Sequence, residues 1–145
     1  MTDLKSGSRH RFPPRRVLMV WLVMTLIATA ATLAVGERMR RGLIIGRGGA
    51  GDYAGGRMIA GTILLKGRVG RFAGYGLRRG TLILDKQPKD LLPTFGDCGI
   101  LDFTWLRLLD RQLKATDGRF KVGYRARRLM GDMAVLGKGE MLILA

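Results

Sequence analysis

The chain holds little with which to do chemistry. Of its 145 residues one is histidine and one is cysteine. A single cysteine, Cys98, excludes a disulfide within the chain and any multi-cysteine metal site. A Cys–His nucleophile pair would have to bring His10, in the amino-terminal tail, to Cys98 across the whole chain. His10 has no evident partner and reads as a solvated tail residue, and Cys98 as a small buried residue in a Gly-Asp-Cys-Gly turn. No carboxylate pair stands out as an acid–base dyad. The sequence therefore points to no catalytic residue, no metal site and no catalysis by this chain alone. Aromatic residues make up 7% of the chain and are not interleaved with its basic runs. With no recognised binding module either, nucleic acid is not the expected partner. Acids are scarce too: 11 Asp and Glu stand against 26 Lys and Arg, a net charge of +15. Such a field attracts polyanions of some kind, whether an acidic partner, an acidic cofactor or an acidic membrane surface.

What the chain has is glycine, and in register. Residues 36–54, 55–73 and 74–86 align with a period of 19. Gly36, Gly55 and Gly74 superpose, as do Gly42, Gly61 and Gly80, and these are the expected structural glycines. Met39, Met58 and Leu77 share one apolar column, Ile44, Ile63 and Leu82 another, and Tyr53 matches Phe72. Periods of this length signal units that bury a core only by lying on one another. Each unit carries a short apolar, β-branched run (Leu43–Ile45, Thr62–Leu65, Thr81–Leu84) bounded by glycine, which reads as a strand with turns. The expectation is a β-solenoid of 19-residue coils. A flexible glycine-rich linker would not hold apolar and aromatic residues in register with its glycines. Gly46, Gly48 and Gly51 satisfy G-x-G-x-x-G, but no helix follows to receive a pyrophosphate, so coil corners explain the match better than a nucleotide site. The runs are apolar at nearly every position, as in strands covered on both faces. One outer face is therefore expected to be a protein interface.

The chain divides into three segments. Residues 1–35 form a basic tail and an apolar helix: Lys5, Arg9, Arg11, Arg15 and Arg16 precede Val17–Val35, which is uncharged and long enough to span a bilayer. It reads as a membrane anchor, as a replacement of earlier coils by truncation or a shifted frame, or as a buried helix. Residues 36–90 are the solenoid coils, and residues 91–145 a carboxyl-terminal cap. In the cap the stretch Pro93-Thr94-Phe95-Gly96-Asp97-Cys98-Gly99 reads as a loop. Asp102 is the expected N-cap of an amphipathic helix with Phe103, Leu106, Leu109 and Leu113 on one face, lying against the last coil. Met141–Leu144 reads as a final strand. Two basic groupings stand out: Arg38 and Arg57 in one column, and Arg125, Arg127 and Arg128, for which a solvated face is the plainer account.

The coils with Gly51–Gly67 (GDYAGGRMIAGTILLKG), then PTFGDCG, then FTWLRLLDRQL, resemble the carboxyl-terminal half of the C-type, glycine-repeat subunit of formylmethanofuran dehydrogenase. They also resemble its counterpart in the bacterial formyltransferase/hydrolase complex. The coils alone are similar to the carboxyl-terminal glycine-repeat domain of glutamate synthase. The first resemblance implies a right-handed, single-stranded parallel β-helix with a short helical cap, mainly β in class. It also implies a structural subunit in tetrahydromethanopterin-linked formyl metabolism, an oxidoreductase activity belonging to the complex. The implied partners are amidohydrolase-like and formyltransferase subunits. The implied cofactors of the complex are methanofuran or its bacterial analogue and a molybdenum or tungsten pterin, with none held by this chain itself. An acidic glutamyl tail on that cofactor would find Arg38, Arg57, Arg125, Arg127 and Arg128 as candidate contacts. The implied location is cytoplasmic. The alternative is a membrane-anchored solenoid, held through residues 17–35, that binds an acidic partner or polysaccharide.

Overall fold

The glycine-bounded apolar runs do become strands, and their pairing follows the sequence register. A computed structural model describes residues 34–116 and 121–145. In chain order the elements are β1 (Leu43–Gly46), β2 (Thr62–Leu65), β3 (Arg79–Leu84), β4 (Gly96–Asp102), α1 (Thr104–Thr116), β5 (Arg125–Gly131) and β6 (Lys138–Leu144). β1 lies parallel to β2 with Ile44 opposite Ile63, and β2 parallel to β3 with Ile63 opposite Leu82. Successive turns hydrogen-bond in step with the strands: the Arg38 amide donates to Gly56 O, Tyr53 to Arg71 O and Arg57 to Tyr75 O. Tyr53 and Phe72 stack with ring centroids 5.1 Å apart, an offset aromatic pair.

The turns hold their backbone at positive φ in the same register. Ala34, Tyr53 and Phe72 have φ of 59°, 60° and 56°, and Arg38, Arg57 and Gly76 have 55°, 51° and 68°. A side chain costs about 1–2 kcal/mol in this left-handed region, and glycine escapes that cost. Gly76 supplies the relief in the third unit; Arg38 and Arg57 do without it. Replacing Arg57 by glycine removes that strain, adds roughly 0.5–1 kcal/mol of unfolded-chain entropy, and loses an exposed ion pair worth about 0–1 kcal/mol. The expected outcome is a stability within about 1 kcal/mol of the parent by urea denaturation, an unusually mild result for Arg→Gly.

The whole sheet is not a parallel β-helix. Among the described residues the six strands run β1-β2-β3-β6-β5-β4, a mixed sheet with one short helix. β6 joins β3 in parallel, with Leu82 opposite Met141, but β5 is antiparallel to β6 and β4 antiparallel to β5. The expectation of a right-handed parallel solenoid is overturned by this topology. The 19-residue period decides which residues pair in β1–β3, but it is lost after Lys86, and of the later strands β5 runs against the others. The expected helix over Val17–Val35 lies outside the described residues except for Ala34 and Val35, which belong to a turn. Among the described residues no helix is long and apolar enough to cross a membrane.

Alternating side chains divide between two cores on the two sides of the sheet. Met58, Ile63, Leu77, Leu82, Phe95 and Met141 meet on the side of the turns. On the other side, Leu64, Ile83 and Leu142 meet Leu106, Leu109 and Leu113 of α1. The covering expected from a partner is thus supplied for β2, β3 and β6 by the chain's own helix. The helix starts at Thr104, and its Leu106 amide donates to Phe103 O. Asp102 is therefore not its N-cap; it ends β4 and pairs with Arg125 at 3.1 Å. The Pro93–Gly99 stretch is not a loop throughout, since β4 begins at Gly96, and Cys98 is exposed rather than buried.

Candidate functional site

The turns and the β5–β6 connection together build a cleft of about 470 Å³. Arg38, Arg40, Arg57 and Arg78 line it together with Ile59, Tyr75, Ala134 and Val135. The register places them there. Arg38 and Arg57 are one unit apart, and Arg40 and Arg78 flank Ile59 at one unit on either side, at a spacing of 19. One unit along parallel strands is roughly 4.8 Å, so the arginines are strung across three units, about 10 Å.

One carboxylate among the described lining residues, Asp132, faces this cleft, and it is already engaged. It is 2% exposed. Its Oδ2 accepts the Gly76 amide at 3.0 Å and its Oδ1 the Ala134 amide at 2.9 Å. Burial works against its charge, yet the nearby Thr94 side chain and these two amides outweigh burial and hold the carboxyl below its ordinary range. The Thr94 hydroxyl has no partner in good hydrogen-bonding geometry, so we assign most of the effect to the amides. A depressed folded-state value stabilises above the unfolded carboxyl's, about 3.9, and that contribution is lost as pH falls through the folded value. The thermal midpoint of the parent should therefore drop more steeply below about pH 4 than that of Asp132→Asn. Parallel acid limbs for the two proteins would contradict this role.

The structure brings Arg38 and Arg57 together and adds Arg40 and Arg78 to them. Arg57 also lies 3.5 Å from Glu37, both exposed. Arg125, Arg127 and Arg128 do not converge. Arg125 pairs with Asp102, Arg127 with Asp97, and Arg128 with Glu140 at 2.9 Å. The Arg127 guanidinium and the Gly99 amide lower Asp97, and Asp97 in turn raises Arg127. Arg40 and Arg78 occupy one column, yet the sequence does not advertise them, because Ile59 interrupts it. Asp132 carries no sequence signal, since only the fold sets it beneath Gly76. The structural glycines Gly36, Gly42, Gly55, Gly61, Gly74 and Gly80 all take positive φ.

No protein-family model matches the chain, and no curated protein matches it. Among solved structures it is similar to a chain in the crystal structure of the formyltransferase/hydrolase complex (FhcABCD) from Methylorubrum extorquens, determined in complex with methylofuran. Identity is 45% over 77% of this chain, with a TM-score of 0.68, and the match spans 42% of that chain. The similarity thus ties this chain to a component of a multi-subunit formyltransferase/hydrolase complex, and it spans less than half of that component.

Proposed function

We propose that this chain is a structural, non-catalytic subunit of a formyltransferase/hydrolase-type complex in one-carbon metabolism, corresponding to its C-type, glycine-repeat component. The observation that carries the reading is the 45% identity, at a TM-score of 0.68, to a chain of such a complex. The described surface is consistent with a role in an assembly: Ile100, Leu101, Trp105, Leu108 and Tyr124, around β4 and α1, are large apolar residues left exposed. Exposed apolar groupings of this kind mark interaction surfaces. In this reading the amidohydrolase-like and formyltransferase subunits carry the chemistry, and methylofuran, bound in the similar complex, is handled by the assembly. The test is co-expression of the tagged chain with those two subunits, followed by affinity purification and size-exclusion chromatography. A stable stoichiometric complex is expected, weakened by Leu108→Glu or Ile100→Glu. Failure of the full chain to co-elute with either subunit would reject the assignment.

A further inference from the structure

The two edges of the sheet are not built alike. β1 is four residues long, and Arg40, Arg41 and Arg47 flank it; short length and flanking charge keep an edge strand from pairing with another chain. β4, at the other edge, is seven residues long, exposed throughout, and holds no lysine, arginine or proline. Its two acids, Asp97 and Asp102, pair with Arg127 and Arg125 of β5. The antiparallel alternation shows which backbone groups this edge leaves over, because residues bonded to the neighbouring strand alternate with residues that point away from it. Ile100, Leu101 and Asp102 lie opposite Arg127, Ala126 and Arg125, and the Phe103 amide donates to Tyr124 O at 2.6 Å. The Ala145 amide donates to Arg125 O, so Arg125 bonds towards β6. Phe103 and Leu101 therefore bond inward. The amide and carbonyl groups of Ile100 and Asp102 face outward, with no strand beyond them among the described residues. The irregularity between Asp97 and Ile100 ends this free ladder on its other side.

From this we infer that β4 receives a seventh strand, an extended segment of another subunit, bonded through the backbone of Ile100 and Asp102. The inference rests on the subunit reading and gives that interface a mode of contact. Side chains define the segment. Leu101 lies opposite Ala126 of the helix-side core, so it stands on the side of α1 and Ile100 on the other. Trp105 meets Phe103 edge-on at 6.4 Å, and Leu108 is one turn further along α1. Exposed apolar surface is thus offered on both sides of the edge. Consecutive apolar residues in an added strand would cover both, each on its own side. Charge argues against a second copy as the occupant. Arg107 lies over the Tyr124 ring at 4.4 Å, Arg111 is one turn along, and Arg125 stands opposite Asp102, all three exposed. A copy of this chain would set these cations, and a net charge of +15, against their equals. The segment that fits has an uncharged apolar centre and acidic rather than basic flanks.

Proline separates the backbone contribution from that of the side chain. An edge strand tolerates proline where the N–H points to solvent. Asp102→Pro therefore removes one outward donor, whereas Asp102→Asn removes the same charge and keeps the donor. The full chain, captured on a biosensor, is titrated with the co-expressed amidohydrolase-like and formyltransferase subunits. Asp102→Pro is expected to raise the apparent Kd at least tenfold and Asp102→Asn no more than twofold, with both free variants keeping the parent's circular dichroism. Residue-resolved hydrogen–deuterium exchange of the parent needs no substitution: the Ile100 and Asp102 amides should exchange at least tenfold more slowly in the complex than in the free chain. A complex that forms while both amides exchange as in the free chain would overturn the added strand and leave the subunit reading intact. Equal binding by the parent and both variants would do the same. Protection of the two amides already present in a dimer of the free chain would give the edge to a second copy and overturn the inference. Binding of neither subunit would reject the subunit reading, and the added strand with it.

Discussion

Replacing Gly80 by alanine is expected to cost roughly 2–5 kcal/mol, combining left-handed backbone strain with overpacking. Gly80 has φ of 96°, so any side chain there is strained. Its Cβ would lie 2.3 Å from Met58 Cε and 2.7 Å from Gly61 O. Met58 is fully buried and cannot swing into solvent. Gly61 O is backbone, and it accepts the Thr81 amide at 3.0 Å. The new methyl therefore pries β3 from β2 where the parallel ladder begins. Domain stabilities run to about 5–15 kcal/mol, so such a loss would be visible as a large shift in the urea midpoint. Gly48→Ala is the internal control, since a Cβ there meets nothing within 4 Å. Equal midpoints for the two variants would show that the close approach at Gly80 relaxes freely.

Leu82→Ala should be comparably severe, at about 3–5 kcal/mol for a cavity in a packed core. Leu82 is fully buried at the centre of β3, paired with Ile63 on one side and Met141 on the other. Nothing flexible stands ready to fill the space, because Met58, Leu77 and Met141 are themselves fully enclosed. Ile44 occupies the same column in β1 but is partly buried, and Ile44→Ala should cost less than half as much. Thermal midpoints of the two variants give the comparison; similar losses would mean that β1 is covered as well as β3.

Much of the amino-terminal sheet was legible because the repeat encodes pairing directly. Ile44 opposite Ile63 opposite Leu82 is a statement about register, and a period reports register. It carries no information about the chain beyond Lys86. β4 opens with Gly96, Asp97, Cys98 and Gly99, a run rich in turn-forming residues. The strand exists because β5 offers it partners, with an irregularity between Asp97 and Ile100 absorbing the misfit. The helix was legible from its leucine spacing, but its start was not, since the Asp102 carboxylate found Arg125 instead of the helix amides. At the cleft, Arg38 and Arg57 stood in one column and could be read together. Arg40 and Arg78 needed the same count carried across an intervening isoleucine, and Asp132 needed the tertiary fold.

The common offset of 19 also makes this part of the molecule a ruler with discrete marks. An insertion of one whole unit between β2 and β3 would leave every ladder partner, positive-φ turn and apolar column matched. An insertion one residue shorter or longer would turn each strand's inward side chains to the wrong face. Length can therefore change here only in whole steps, and each step moves Arg78 away from Arg40 by one strand spacing. The reach of the arginine row is thereby tied to repeat number, a quantity that duplication or loss of a segment can alter without redesigning any residue in it.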